Sequence, residues 1–356
     1  MKINTLLAAG VCAIGVSAFA ASAADPLTGA GSSAAAPVYQ TWAAEYQKDH
    51  GEGLNYDPVG SGAGMTRIRQ RQADFGASDV IASRKDLAKD GLVMFPTVIT
   101  GVVPVINLQR LGQNQLRLNG EVLARIYLGE IRSWNAWEIR ALNPGVDLPA
   151  LPIRVVCRAD GSGTTYHFTD YLSKVNAAWK ARYGVSNKHP WPAEFIAVKG
   201  SGEVSKAVRA TAGAIGYIDF NYLIDDGLIG VQMLNADGRF IAPSVESFRH
   251  AVLKSPWFTT GDFSSTLTNL PGAGTWPITM GTYVAVPKIA PAGTRTERAL
   301  RFITWGYLNG DALAKKAKFV PLPDKVQASA YREIASVTDA SGESIGAKVL
   351  GSLIAR

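Results

Sequence analysis

Cysteine is scarce in this 356-residue chain, which contains only Cys12 and Cys157. A disulfide framework of the kind that holds small secreted domains together is therefore excluded. Charged residues are also sparse, at 18% of the sequence, whereas hydrophobic residues make up 47%. The chain can thus build a large core, and its length corresponds to roughly two domains of about 150 residues each.

Dense clusters of lysine and arginine are missing, although the net charge is +7. The most basic stretch, RIRQRQ at 67–72, reads as the solvated face of a helix. We therefore expect no nucleic-acid partner. A mild excess of positive charge without clusters favours the attraction of small anions instead.

One long apolar run is present, and it lies near the N-terminus. Lys2 precedes LLAAGVCAIGVSAFA, and Ala21-Ser22-Ala23 follows as a cleavage site, with cleavage one residue later as an alternative. This pattern predicts a signal peptide over residues 1–23. Cys12 lies in the middle of the run, which argues against a lipid anchor. No later segment has the length and apolarity of a membrane span.

Short apolar strands repeatedly lead into a polar loop and then a helix. The four stretches are GAGSSAAAPVYQTW, YDPVGSGAGMTRI, FGASDVIASRKDL and VCRADGSGTTYHF. Such strand–loop–helix units predict an α/β fold. Because ligands of open α/β sheets bind at the carboxyl ends of the strands, we expect these loops to meet at one site.

The stretch RADGSGTTYHFTDYL at 158–172 is the most informative of the four. A helix with an apolar face begins after its glycines, and a helix N-terminus offers unpaired N–H groups and a positive dipole end to an anion. A plainer interpretation is a capped helix, with Ser162 or Thr164 as the cap. The repetition of similar loops elsewhere favours the anion site.

Two extended segments suggest how the chain divides into domains. GVVPVIN at 101–107 and WPITMGTYVAVP at 276–287 are long enough to carry the chain from one domain to the other and back. They predict a discontinuous first domain over 24–106 and 280–356, and a second domain over 107–279. A helix starting near Thr294 would complete the first domain.

Six co-linear stretches together resemble a known family. They are GAGSSAAAPVYQTWAAEY, GSGAGMTRI, DFGASDV, VVCRADGSGTTYHFTDYL, AGAIGYIDF and WPITMGTYVAV, and they span nearly the whole chain after the signal peptide. This pattern is similar to the periplasmic phosphate-binding proteins of bacterial ABC phosphate transporters, the PstS family. The resemblance implies a type II periplasmic binding protein whose two domains close on one phosphate, and we expect it to be a monomer. It also implies delivery to an inner-membrane ABC permease and no cofactor or metal.

The resemblance carries a set of phosphate ligands onto this chain by motif. Asp160 is implied to hold the arginine of that set in place. The first loop departs from the enterobacterial Thr-Phe-Pro pattern and reads Ser33-Ala34-Ala35, which keeps the hydroxyl and the N–H but loses an aromatic ring. The implied ligands are Ser33, the Ala34 N–H, Ser61, Asp79, Arg158, Ser162, the Gly163 N–H and Thr164.

A carboxylate among anion ligands has a physical use. Phosphate at neutral pH still carries a proton to donate, whereas sulfate does not, so Asp79 as a fixed acceptor admits the first and repels the second. Outside this context Asp79 would be an ordinary turn residue at a strand end.

Two other functions compete with phosphate binding. An exported phosphatase or esterase would use Ser162 or Ser61 as nucleophile and would need a nearby base. The candidate base is His167, which lies close to Ser162 in sequence but is expected to face solvent or pack locally. Neither Ser61 nor Ser162 lies in a G-x-S-x-G elbow, and metal-ligand spacing is missing from the sequence. Another oxyanion is the second alternative, and arsenate, which is protonated and nearly isosteric with phosphate, stays open.

Overall fold

A computed structural model of the protein describes residues 25–291 and 293–354. The predicted signal peptide over residues 1–23, which includes Cys12, lies outside the described residues. Among the residues that are described, no helix combines the length and apolarity needed to cross a bilayer.

Strands and helices alternate along most of the chain. The strands are β1 (Leu27–Gly31), β2 (Leu54–Asp57), β3 (Phe75–Ser78), β4 (Leu92–Ile106), β5 (Arg117–Leu118), β6 (Arg154–Arg158), β7 (Ile196–Val198), β8 (Ala214–Asp219), β9 (Ile229–Gly230), β10 (Gln232–Leu234), β11 (Phe240–Ile241), β12 (Thr279–Pro287) and β13 (Val320–Pro321). The helices are α1 (Ala36–His50), α2 (Ser61–Arg69), α3 (Arg84–Asp90), α4 (Gly120–Tyr127), α5 (Trp137–Leu142), α6 (Gly163–Val175), α7 (Ala177–Arg182), α8 (Ser201–Ala210), α9 (Phe220–Asp225), α10 (Val245–Leu253), α11 (Pro256–Thr259), α12 (Arg295–Asn309), α13 (Asp311–Lys316), α14 (Asp324–Ala335) and α15 (Ile345–Ile354).

The main sheet contains two parallel strand groups joined by antiparallel strands. Its order is β2-β1-β3-β12-β4-β8-β6-β7, with β9 and β13 paired to β4 outside this path. We call β1, β2 and β3 the first strand group and β6, β7 and β8 the second strand group; pairing within each is parallel. The four predicted strand–loop–helix units are β1–α1, β2–α2, β3–α3 and β6–α6, so the predicted α/β fold is confirmed.

The two segments predicted to cross between domains lie in β4 and β12, which pair with each other. Their register runs from Thr279 opposite Gly101 to Pro287 opposite Leu92. Beyond Gly101, β4 continues alongside β8 of the second strand group. Every residue of β4 is buried, which accounts for its nearly continuous apolar sequence.

Aromatic side chains fill the core on the side of the first strand group. Phe75 of β3 lies between Tyr39 of α1 and Phe302 of α12, with ring centroids 6.0 and 6.3 Å away. Phe302 also meets Trp42 of α1 edge to face. Such pairs contribute about 0.5–1.5 kcal/mol each beyond their buried area. The late helix α12 therefore packs against the earliest elements of the chain, as expected for the helix near Thr294.

A separate aromatic cluster supports the second strand group. Phe168 of α6 stacks on Tyr217 of β8, with ring centroids 4.3 Å apart, and Tyr127 of α4 packs edge-on against Phe168. Phe168, Tyr171 and Leu172 are fully buried, so the apolar face predicted for this helix is confirmed. The cluster fixes α6, whose N-terminus carries several of the predicted ligands.

Candidate functional site

The predicted loops lie together where strands of both groups end. Ser33 follows β1, Ser61 begins α2, Asp79 follows β3, and Arg158 is the last residue of β6. All four side chains are buried, and Asp79 and Arg158 are each only 2% exposed. The sheet thus brings polar groups that are far apart in sequence into one enclosed cluster, which we call the polar cluster.

Asp79 is held by hydroxyl groups. Its Oδ1 accepts a hydrogen bond from Thr282 Oγ1 at 2.6 Å, and its Oδ2 accepts one from Ser61 Oγ at 3.2 Å. The Asp79 N–H in turn donates to Ser61 Oγ. Burial raises the pKa of the carboxyl group to about 6, against the hydrogen bond from Thr282 and with a smaller contribution from Asp219.

Arg158 is oriented by a two-pronged ion pair. Its Nε and Nη2 donate to the two oxygens of Asp160 at 2.7 and 2.6 Å. Burial works against the charge of the guanidinium, but the hydrogen bonds that it donates to Asp160 outweigh this effect and raise the pKa of Arg158. Likewise, burial works against the charge of Asp160, and the bonds from Arg158 lower its pKa. Arg158 therefore stays charged in a fixed orientation.

The start of α6 lies against Asp79. Ser162 caps the helix by accepting a hydrogen bond from the Thr165 N–H at 3.2 Å. Of the two residues predicted as possible caps, Ser162 and Thr164, the structure therefore uses Ser162. A Cβ atom added to Gly163 would lie 2.3 Å from the Cβ of Asp79, so this position has no room for a side chain. Thr164 Oγ1 donates to Asp219 Oδ1 at 2.9 Å.

Several contacts join the loops of the first strand group to those of the second. The Gly62 N–H donates to the Gly161 carbonyl at 3.0 Å, and Ser33 Oγ lies 3.1 Å from Ser201 Oγ. Gly60 has a φ of +89°, and a Cβ there would lie 2.5 Å from Asp160 Oδ2. The structure is therefore closed at the polar cluster. The loops of the first strand group form one side of the cluster and those of the second strand group form the other, and the two sides are in van der Waals and hydrogen-bond contact.

Sequence reasoning missed several members of the polar cluster, namely Ser201, Asp219 and Thr282. Ser201, at the start of α8, accepts from Arg158 Nη1 at 3.2 Å and donates to Asp219 Oδ2 at 2.5 Å. Asp219, the last residue of β8, is fully buried, and burial raises its pKa despite the hydrogen bonds from Ser201 and Thr164. The signal for Ser201 was available, because β7, Gly200 and α8 form a fifth strand–loop–helix unit.

His167 does not face solvent, contrary to one of the two expectations for it; its ring packs locally against Tyr166, the other expectation, and also reaches a distant segment. Its side chain is buried, and Nε2 lies 2.6 Å from the main-chain oxygen of Asp79 on the other side of the polar cluster. The contact joins residues that are far apart in sequence, so a local pattern does not reveal it.

The polar cluster is chemically suited to a small, partly protonated oxyanion. Hydroxyl groups, the N–H groups at the start of α6 and one fixed guanidinium supply donors, while Asp79 supplies an acceptor. Within the described ranges, no group of three or more His, Cys, Asp or Glu side chains is arranged to hold a metal ion. The ligand roles assigned from the sequence stay predictions at this point.

Comparison with known proteins identifies relatives over most of the chain. A family model described as the PBP superfamily domain matches residues 17–309. Phosphate-binding protein PstS of Xylella fastidiosa (strain Temecula1) is 38% identical over 307 residues, which cover 86% of this chain and 84% of the relative. Phosphate-binding protein PstS of Pasteurella multocida is 39% identical over 303 residues, covering 85% of this chain and 88% of that protein.

Solved structures share the fold at lower identity. A high-affinity periplasmic phosphate-binding protein (PfluDING), determined with bound phosphate, aligns with a TM-score of 0.71 and 22% identity, covering 91% of this chain and 97% of that one. The resemblance predicted from sequence and the type II periplasmic-binding-protein fold are thereby confirmed.

Proposed function

This chain belongs to the family of phosphate-binding proteins named PstS, and on that premise we propose that it binds inorganic phosphate in the periplasm and delivers it to an ABC phosphate importer. The observation that carries the proposal is the polar cluster itself. It combines a buried guanidinium, hydroxyl donors from several loops and the buried carboxylate of Asp79 as an acceptor around a helix N-terminus.

The proposed ligands divide into donors and one acceptor. Hydroxyl and N–H groups fill the lone pairs of a desolvated anion without adding full charges, and Arg158 supplies the compensating positive charge. Charge-assisted bonds contribute about 1.5–3 kcal/mol each, so several of them are sufficient for micromolar binding, which needs about 8 kcal/mol. The proposed donors are Ser33, the Ala34 N–H, Ser61, Arg158, Ser162, the Gly163 N–H and Thr164.

Asp79 is proposed to select for the proton on the ligand. Both of its oxygens accept hydroxyl protons in the structure, so the carboxylate already acts as an acceptor. A phosphate that still carries a proton can donate to it, whereas sulfate would place an unprotonated oxygen against a negative charge.

Two domains are proposed to close over the ligand. We assign 24–106 and 280–356 to the first domain and 107–279 to the second, with β4 and β12 passing between them. The contacts between Gly62 and Gly161 and between Ser33 and Ser201 then join one domain to the other. Such contacts can form only in a closed state, which is the state expected to retain phosphate.

Binding rather than catalysis is supported by the partners of the candidate nucleophiles. Ser162 Oγ accepts from the helix backbone, and Ser61 Oγ donates to Asp79. The candidate base, His167, is directed at a carbonyl oxygen instead of at either serine. Incubation with a chromogenic phosphate ester should therefore give no turnover, while purified protein retains phosphate stoichiometrically.

The decisive experiment is calorimetric titration of wild type and Asp79→Asn with phosphate and with sulfate at one ionic strength. We expect the phosphate-to-sulfate affinity ratio to fall at least tenfold in the variant, because an amide can donate to sulfate and the charge repulsion is gone. Asp57→Asn, at a surface carboxylate paired with Arg67, is the matched control and should keep the wild-type ratio.

Two outcomes would contradict the proposal. A wild type that binds sulfate as tightly as phosphate removes the selective role of Asp79. A wild type that binds neither anion refutes the function itself. An arsenate titration in the same series decides whether the protonated, nearly isosteric anion is also accepted.

A further inference from the structure

We propose that His167 is a positioning residue that locks the two sides of the site together by donating its Nε2–H to the main-chain carbonyl of Asp79. The inference rests on the proposed function and deepens it, since it assigns to one side chain a share of the closed state that retains phosphate.

The contact has a defined direction. A carbonyl oxygen can only accept, so Nε2, at 2.6 Å from it, must carry the proton. His167 lies on α6, one turn after the Gly163 and Thr164 that approach the ligand site, whereas Asp79 follows β3 of the first strand group. One hydrogen bond therefore ties α6, the helix that follows β6 of the second strand group, directly to the backbone of the proposed selective residue.

The surroundings of the ring favour this use. His167 is 4% exposed, and in the part of the chain that the structure describes its Nδ1 has no hydrogen-bond partner. Burial lowers the pKa of the imidazole, although the Asp79 carbonyl and Asp170 oppose the shift, so the neutral ring is favoured. A neutral imidazole carries one N–H group, and here that group is Nε2–H, which donates to the main-chain carbonyl of Asp79.

Loss of the donor has a predictable consequence for ligand release. Once the site is closed, the Asp79 carbonyl is shielded from water, and without His167 it would be buried unpaired. Opening the site lets water form a hydrogen bond with this carbonyl again. The closed state is therefore disfavoured relative to the open one, which speeds release of the ligand, while the encounter of phosphate with the open site is unaffected.

Exchange of radiolabelled phosphate against excess unlabelled phosphate measures release directly. We expect His167→Leu to release phosphate roughly tenfold faster than wild type, the size expected for one unpaired buried carbonyl. His167→Gln carries an amide N–H at a similar reach and should restore slow release. His189→Leu is the matched control, because His189 is also a buried histidine but packs among Trp179, Tyr183 and Trp191, and it should release at the wild-type rate.

The outcomes separate the inference from the function on which it rests. Equal release from His167→Leu and wild type overturns the locking role. Equally fast release from the leucine and glutamine variants overturns the donor role, provided that both melt cooperatively. A wild type that retains no labelled phosphate refutes the proposed function first, before the variants are compared.

Discussion

Replacing Arg158 with alanine tests the proposed phosphate site most directly. Asp160 engages two of the N–H bonds of the guanidinium and Ser201 one, which among the described contacts leaves two of its five for a ligand. One or two charge-assisted bonds at about 1.5–3 kcal/mol each amount to about 1.5–6 kcal/mol. The affinity for phosphate should therefore fall between roughly tenfold and roughly ten-thousandfold.

The measurement is calorimetric titration of protein from which bound phosphate has been removed by unfolding and refolding. Arg158→Ala leaves Asp160 and Asp219 without their positive partner, so thermal melting should accompany the titration to show that the variant is folded. Arg158→Lys keeps the charge but loses the planar fork, and its affinity should lie between those of wild type and alanine variant. Arg67→Ala, at an exposed ion pair, serves as the control.

Unchanged phosphate affinity in a folded Arg158→Ala variant would refute this reasoning. A loss of equal size in Arg67→Ala would point to the overall positive charge of the protein rather than to a specific ligand.

Three further predictions follow from the closed site. Gly163→Ala should prevent closure, because its Cβ would collide with Asp79. By solution scattering, we expect the radius of gyration to decrease with saturating phosphate in wild type and to stay unchanged in the variant. Cys157 should resist thiol reagents in the native protein, since burial raises its pKa to about 12, and rapid labelling would contradict this. The phosphate-free protein should lose stability as the pH rises from about 4 to about 6, because Asp79 in the folded protein still binds a proton that the unfolded chain has already released. In denaturation experiments, the free energy of unfolding of Asp79→Asn should lack this part of the pH dependence. An equal pH dependence in both proteins would argue against the closed state.

Local patterns in the sequence were enough to predict the α/β fold and four of the loops in the polar cluster. Each loop can be recognised from the sequence, because a strand, small polar residues and a helix start lie within about a dozen residues. The fifth loop, at Ser201, follows the same rule but comes after β7, a strand of three residues with exposed positions, so its apolar signal is weak.

Contacts between distant segments could not be predicted in this way. Asp219 ends a buried strand in an ordinary position, and only the sheet order places it beside Arg158 and Thr164. His167 looks like a surface position by local pattern, and its hydrogen bond to the Asp79 carbonyl joins segments far apart in sequence. The ligand roles themselves rest on family resemblance, and the titrations above test them.

The central position of β12 in the main sheet has a consequence for how the protein folds. β12 separates β3 from β4 and pairs with both, yet it comes about 190 residues after β4 begins. Until Thr279–Pro287 is available, β3 and β4 each present an unpaired edge, and unpaired strand edges recruit other chains. Pairing over such sequence separations is slow. We therefore expect chains truncated before residue 279 to aggregate, and the intact chain to depend on chaperones until β12 has emerged.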